Sequence, residues 1–72
     1  MPIVTIQVTR EGVTAEQKAA LIKGATDLLK DVLNKDPSLT FVIIQEVELE
    51  NWGAGGLPTP EFRKRQAEKS SG

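Results

Sequence analysis

The chain contains neither cysteine nor histidine. Without cysteine there is no disulfide scaffold and no thiol chemistry, and the redox compartment stays open. Without histidine the commonest acid–base residue and metal ligand is missing, together with every Ser–His or Cys–His nucleophile pair. Any proton chemistry therefore falls to carboxylates, amines or the chain terminus. An excess of one charge sign is lacking too: nine Lys and Arg stand against ten Asp and Glu. No strong field points to nucleic acid or to an acidic membrane. Met1–Ile6 has neither a positive leader nor a long apolar core, and the longest later apolar run is Phe41–Ile44. No signal peptide or membrane span is predicted, and cytoplasmic residence is the default.

What is present amounts to one small domain, residues 1–72, with a core over 2–57 and a tail over 58–72. Ordering a chain of this size calls for roughly 3,600 Å² of buried apolar area, which so short a chain struggles to provide alone. Self-association is the expected remedy.

The segment Ile3–Thr9 is rich in β-branched residues, alternates well, and closes in the loop Arg10-Glu11-Gly12; it reads as a strand. Thr14-Ala15-Glu16-Gln17 fits a capping box. Behind it Leu21, Ile22, Ala25, Leu28, Leu29, Val32 and Leu33 recur at helical spacing, with Lys18, Lys23, Asp27, Lys30 and Asp31 on the opposite face. Asn34-Lys35-Asp36-Pro37-Ser38 is expected to end the helix, since Pro37 disfavours helical geometry at Asp36. Thr40–Val47 reads as a second strand whose centre is apolar on both faces, the pattern of a strand covered from two sides. Strand, crossover helix and strand predict a right-handed βαβ unit of α/β (α+β) class with parallel strands. One helix covers only one face of that pair, so the other face and the sheet edges call for a second subunit. Asn51-Trp52-Gly53-Ala54-Gly55-Gly56 predicts a short C-terminal hairpin. Thr59 is placed to cap a short final helix with Pro60 at its first position, running through Phe62, Arg63 and Arg65, before a tail at Lys69-Ser70-Ser71-Gly72 that is expected to fray.

Four segments together resemble the 4-oxalocrotonate tautomerase family: Met1-Pro2-Ile3-Val4; Thr14-Ala15-Glu16-Gln17-Lys18 with Leu21-Ile22 behind it; Val42-Ile43-Ile44-Gln45-Glu46; and Asn51-Trp52-Gly53-Ala54-Gly55-Gly56. The resemblance runs from residue 2 to about 57, and it is the order and spacing in so short a chain that make it specific. It implies dimers joined through a four-stranded sheet, usually three of them in a hexamer. It also implies loss of Met1 and a catalytic Pro2 whose freed nitrogen moves protons. The implied reaction is enol–keto isomerisation of a small unsaturated 2-hydroxy or 2-oxo acid of aromatic breakdown, without metal or cofactor, with dehalogenation or decarboxylation in related branches.

Physical chemistry supports Pro2 in that role. Ordinary α-amino groups titrate at about 7.7–8.0, and apolar surroundings with a nearby cation disfavour the charged form, bringing a base closer to its working pH. The pyrrolidine ring also fixes φ, which aims the lone pair. Read alone, Pro2 equally begins an edge strand. The substrate grip departs from the resemblance: arginines are implied at two positions that here hold Val13 and Phe41. Phe41 is then expected beside the site, narrowing it. Arg10 is either a substitute cation or a solvated loop charge. Trp52 either lines the pocket as an aromatic wall or packs the hairpin on a neighbour, and the two roles are compatible. Arg63, Lys64 and Arg65 either reach a neighbouring subunit's site from the tail or form a solvated helix face, and Glu46 and Glu48 read as solvated carboxylates. Gly53, Gly55 and Gly56 form no phosphate loop, because Lys-Ser/Thr and a following strand-to-helix junction are missing. A non-catalytic oligomer with this fold is the alternative to an enzyme. A nucleic-acid binder would rest on Arg63-Lys64-Arg65 alone, without an aromatic platform.

Overall fold

The computed structural model describes residues 1–71, with side chains through Glu68. Strands β1 (Ile3–Thr9) and β2 (Phe41–Val47) pair in parallel, from Ile3 opposite Phe41 to Thr9 opposite Val47. Helix α1 (Ala15–Leu33) connects them. The alternation read from sequence divides the sheet cleanly. Val4, Ile6 and Val8, with Val42, Ile44 and Glu46 beside them, are half-buried, and the Lys18 ammonium of α1 reaches down to Glu46 at 2.8 Å on this face. The other face carries Ile3, Thr5, Gln7, Phe41, Ile43 and Gln45, all exposed. There Gln7 Nε2 donates to Gln45 Oε1 at 2.8 Å across the strands.

The start of α1 is as expected. Gln17 N–H donates to Thr14 Oγ1 at 3.1 Å, and Thr14 N–H donates to the Gln17 side chain at 2.9 Å. Each bond satisfies one of the amide donors left open at a helix N-terminus. Replacing Thr14 with Ala removes one arm of this box and should lower stability by about 1 kcal/mol, read as a lower thermal midpoint at fixed protein concentration. The far end falls where expected, at the start of residues 34–38, but by a different device. Asn34, not Pro37, stops the helix: it adopts the left-handed conformation, at φ 55°, and its N–H closes on Lys30 O at 2.9 Å. Asparagine tolerates that geometry because its short polar side chain adds little steric cost. Pro37 instead opens a 3₁₀ turn, Pro37–Leu39, capped by Asp36. That turn leads into β2, which begins at Phe41 rather than Thr40.

After β2 a second 3₁₀ turn, Leu49–Asn51, leads into the hairpin of β3 (Gly53–Ala54) and β4 (Leu57–Pro58). The loop between them is Gly55-Gly56, at φ 59° and 83°. Two successive positive values define the type I′ turn and call for glycine. Helix α2 (Thr59–Ser71) is longer than the short helix expected, and Thr59 does not act as a simple cap. Thr59 is 5% exposed, and both its N–H and its hydroxyl donate to the Trp52 carbonyl oxygen, at 2.9 and 2.5 Å. This ties the start of α2 to the start of the hairpin. The expectation of fraying at Lys69-Ser70-Ser71-Gly72 falls outside the described side chains.

A monomer of this shape is incomplete. Among the described residues no apolar side chain is buried, and Ile3 (62%), Phe41 and Ile43 (both 48%) stand open on the uncovered sheet face. The accessible surface is 5513 Å², against about 4,400 Å² for a compact chain of this mass. The radius of gyration is 16.6 Å and the long axis 51 Å, where a compact chain would have a radius near 11 Å. Among the described residues no helix is long and apolar enough to cross a membrane.

Candidate active site

Pro2 stands at the head of β1, half-buried, and its carbonyl oxygen accepts the Phe41 N–H at 3.0 Å. Parallel register therefore brings Pro2 and Phe41 together at one end of the sheet. Met1, ahead of Pro2, is 85% exposed. The other two candidates lie at the opposite end. Arg10 follows the last residue of β1, with its N–H on Val47 O at 2.8 Å, and Trp52 follows β2. At about 3.3 Å per strand residue, the seven residues of β1 hold the two groups on the order of 20 Å apart. Within one chain Pro2 and Phe41 meet at one end of the sheet, while Arg10 and Trp52 lie beyond the other end.

At the far end the hairpin, α2 and the end of β1 enclose a cleft lined by Thr9, Trp52, Ala54, Thr59, Phe62 and Arg63. Trp52 and Phe62 are both half-buried and give it aromatic walls. The Phe62 ring lies 3.6 Å from where a Gly55 side chain would begin, packed against the hairpin turn. Trp52 thus packs its own hairpin and also faces open space.

Of the charged residues around this end Glu48 and Arg63 are exposed as expected, but each is ion-paired, and Glu46 is largely covered. Glu46 lies under α1, hydrogen-bonded to Lys18 and 3.7 Å from the Arg10 guanidinium. The Lys18 hydrogen bond, aided by the charges of Lys18 and Arg10, holds its carboxyl below the usual range against the opposing effect of desolvation. Arg10 keeps half its surface in water but donates through Nε to Glu48. It is neither a free loop charge nor an unengaged substrate cation. Arg63 is exposed, as expected of a solvated face, but it is also paired. Its Nη1 and Nη2 both donate to the Glu11 carboxylate, the latter at 3.1 Å, and the Thr9 hydroxyl donates to the same carboxylate. The Arg63 fork first, and Thr9 second, lower the Glu11 pKa to about 2. A lowered folded-state value means the tie is intact above the ordinary carboxylate range and is lost only as pH falls towards 2. Sequence reading missed these pairs because their partners are 28, 38 and 52 residues apart, and no local periodicity reports them.

Residues 2–60 match the family model of the tautomerase enzymes. A probable tautomerase of Dickeya dadantii is 57% identical over 65 residues, covering 90% of this chain and 97% of that protein. One from Helicobacter pylori is 42% identical over 67 residues, covering 90% and 98%. Among solved structures, DmpI from Helicobacter pylori superimposes with a TM-score of 0.82 at 42% identity, over 88% of this chain and 97% of that one. A chain of the heterohexameric 4-oxalocrotonate tautomerase from Chloroflexus aurantiacus gives 0.77 at 30% identity, over 88% and 100%. The βαβ unit and the C-terminal hairpin are common ground with these structures. The chain belongs to the tautomerase family.

Proposed function

We propose that the protein is an isomerase in which Pro2, freed of Met1, is the general base for enol–keto conversion of a small unsaturated 2-hydroxy or 2-oxo acid. The observation that carries this is the setting of Pro2. Its backbone is pinned to β2 by Phe41 while the residue ahead of it makes no buried contact, so Met1 can leave without cost to packing. The proline nitrogen then becomes a secondary amine on a fixed ring at a strand end, flanked by exposed Ile3 and Phe41. Such a group can take a proton from the substrate hydroxyl and return one to a conjugated carbon, with no change of redox state.

The separation of Pro2 from the Trp52 cleft gives this reading its assembly. A substrate that touches both needs the cleft of one copy and the Pro2 of another, so the working unit is a homo-oligomer, a hexamer built as a trimer of dimers. Heterohexameric assembly of the Chloroflexus aurantiacus relative supports this direction. Residues 1–72 act as one domain in this scheme, in the cytoplasm, with no cofactor. The test is to compare processed and Met1-retaining protein on a 2-hydroxydienoate.

Phe41 then narrows the site beside the base and favours acids with less charge than a dicarboxylate. Phe41→Arg should raise kcat/KM for an unsaturated dicarboxylate by about tenfold, the scale of one charged hydrogen bond, as read from steady-state ultraviolet assays. No gain with the fold intact would remove Phe41 from the site.

The pairing of Arg10 with Glu48 favours a second reading, a non-catalytic oligomer that has lost its grip on carboxylates. That reading requires processed protein to be inert on every 2-hydroxydienoate offered.

A further inference from the structure

The geometry points to Arg63, on the C-terminal helix α2, as the residue that binds the substrate carboxylate in the Trp52 cleft. The assignment rests on the isomerase reading for the identity of the substrate, but its own evidence is independent of Pro2.

The cleft offers two chemistries side by side. Trp52 and Phe62 form aromatic walls, and among the lining residues Arg63 alone is charged. A flat conjugated body suits the rings, and a carboxylate at its end suits a planar guanidinium that donates two parallel hydrogen bonds. The other cations near this end are engaged elsewhere: Lys18 on Glu46, and Arg10 on Glu48 and Glu46. Neither lines the cleft. Lys64 and Arg65 line a different depression on α2, with Leu57, Glu61 and Glu68.

Arg63 is held without being used up. A guanidinium has five N–H donors, and the fork on Glu11 takes one from each of Nη1 and Nη2. Glu11 is in turn steadied by the Thr9 hydroxyl from the cleft wall. The pair is about half exposed on both sides, and exposed ion pairs add little to stability. It therefore opens readily. Glu11 holds the guanidinium in place, and the carboxylate of an entering acid competes with Glu11 for the same donors. Arg63 sits on α2, outside the βαβ unit, so this recognition comes from the C-terminal helix and not from the sheet.

Trp52 is the single tryptophan of the chain, so its emission reports cleft binding directly. The probes are 2,4-hexadienoate and its neutral amide, titrated against Met1-processed protein. Wild type should bind the acid about tenfold more tightly than the amide. Arg63→Ala should weaken the acid roughly 10- to 100-fold and leave the amide unchanged. Glu11→Gln, which removes the competitor and keeps the cation, should tighten the acid about two- to fivefold. A merely structural tie predicts instead that the two variants shift together. Arg63→Lys, which keeps the charge and loses the fork, should fall between wild type and Arg63→Ala, and it serves if Arg63→Ala does not fold. Equal affinity for acid and amide in wild type, or shifts of the same sign in Arg63→Ala and Glu11→Gln, would overturn the assignment. Pro2→Ala separates the two readings: it should cut turnover and leave both affinities in place. Full turnover with acid binding still dependent on Arg63 would remove Pro2 as base and keep Arg63 as carboxylate ligand.

Discussion

Protein that retains Met1 should lose about 10²- to 10⁴-fold in turnover of a 2-hydroxydienoate relative to processed protein, the full scale of general base catalysis. The reason is electronic. With Met1 attached, the Pro2 nitrogen is an amide, its lone pair delocalised into the preceding carbonyl, and it accepts no proton at neutral pH. Almost nothing else changes. Met1 is exposed, and the Pro2 carbonyl keeps its bond from Phe41 in either form. Thermal midpoints of the two forms should therefore agree closely while their rates diverge. Pro2→Ala in processed protein gives an intermediate result, because a primary amine remains at the same place on a more flexible backbone. Intact mass spectrometry identifies each form before the assay. Equal rates from the processed and Met1-retaining forms would show that Pro2 only begins a strand.

How much of this was legible in the sequence varies with the range of the interaction. The period-two pattern of Ile3–Thr9, the capping box at Thr14 and the Gly55-Gly56 turn are local signals, and each appears where it was expected. The pairing of Pro2 with Phe41 follows from the parallel register of a βαβ unit. Less of the charged end was readable. Glu46 read as solvated, and Arg10 and Arg63 as either solvated or turned towards a substrate, because none of their ion-pair partners is a neighbour in sequence, and only the folded loop between β1 and α1 brings Glu11 under α2. The length of α2 was missed for a related reason: past Phe62 it has no apolar stripe to mark it. Its start is fixed instead by the double bond from Thr59 to the Trp52 carbonyl and by Phe62 packed over Gly55. Val13 shows the same limit in the site. The sequence reveals that an arginine implied by the resemblance is missing from the first loop, but not that a guanidinium from residue 63 arrives on Glu11, two residues away.

Ile43→Glu should abolish assembly, and with it the folded state, because the exposed sheet face has no other means of leaving water. Ile43 sits centrally on that face, opposite Thr5, with Ile3 and Phe41 at the next paired position. Half of its side chain is open in the isolated chain, and no apolar residue elsewhere among those described is fully buried. The isolated chain therefore has little hydrophobic stabilisation of its own, and contact with another copy must supply the rest. A carboxylate at residue 43 would enter that contact without a described cation on the same face to pair with, since its neighbours there are Ile3, Thr5, Gln7, Phe41 and Gln45. Leaving such a charge unpaired at a dry interface is costly, about 3–5 kcal/mol per copy, and the cost recurs in every subunit of a symmetric assembly. Sedimentation velocity should find wild type as a single large species at micromolar concentration and Ile43→Glu as monomer. Circular dichroism should show that monomer losing helix along with its partners, since half-buried α1 residues such as Ala25 and Leu29 depend on an ordered sheet beneath them. Ile43→Val, which keeps the apolar surface and removes one methylene, should assemble like wild type. A stable, folded wild-type monomer at micromolar concentration would contradict the whole argument from the open sheet face.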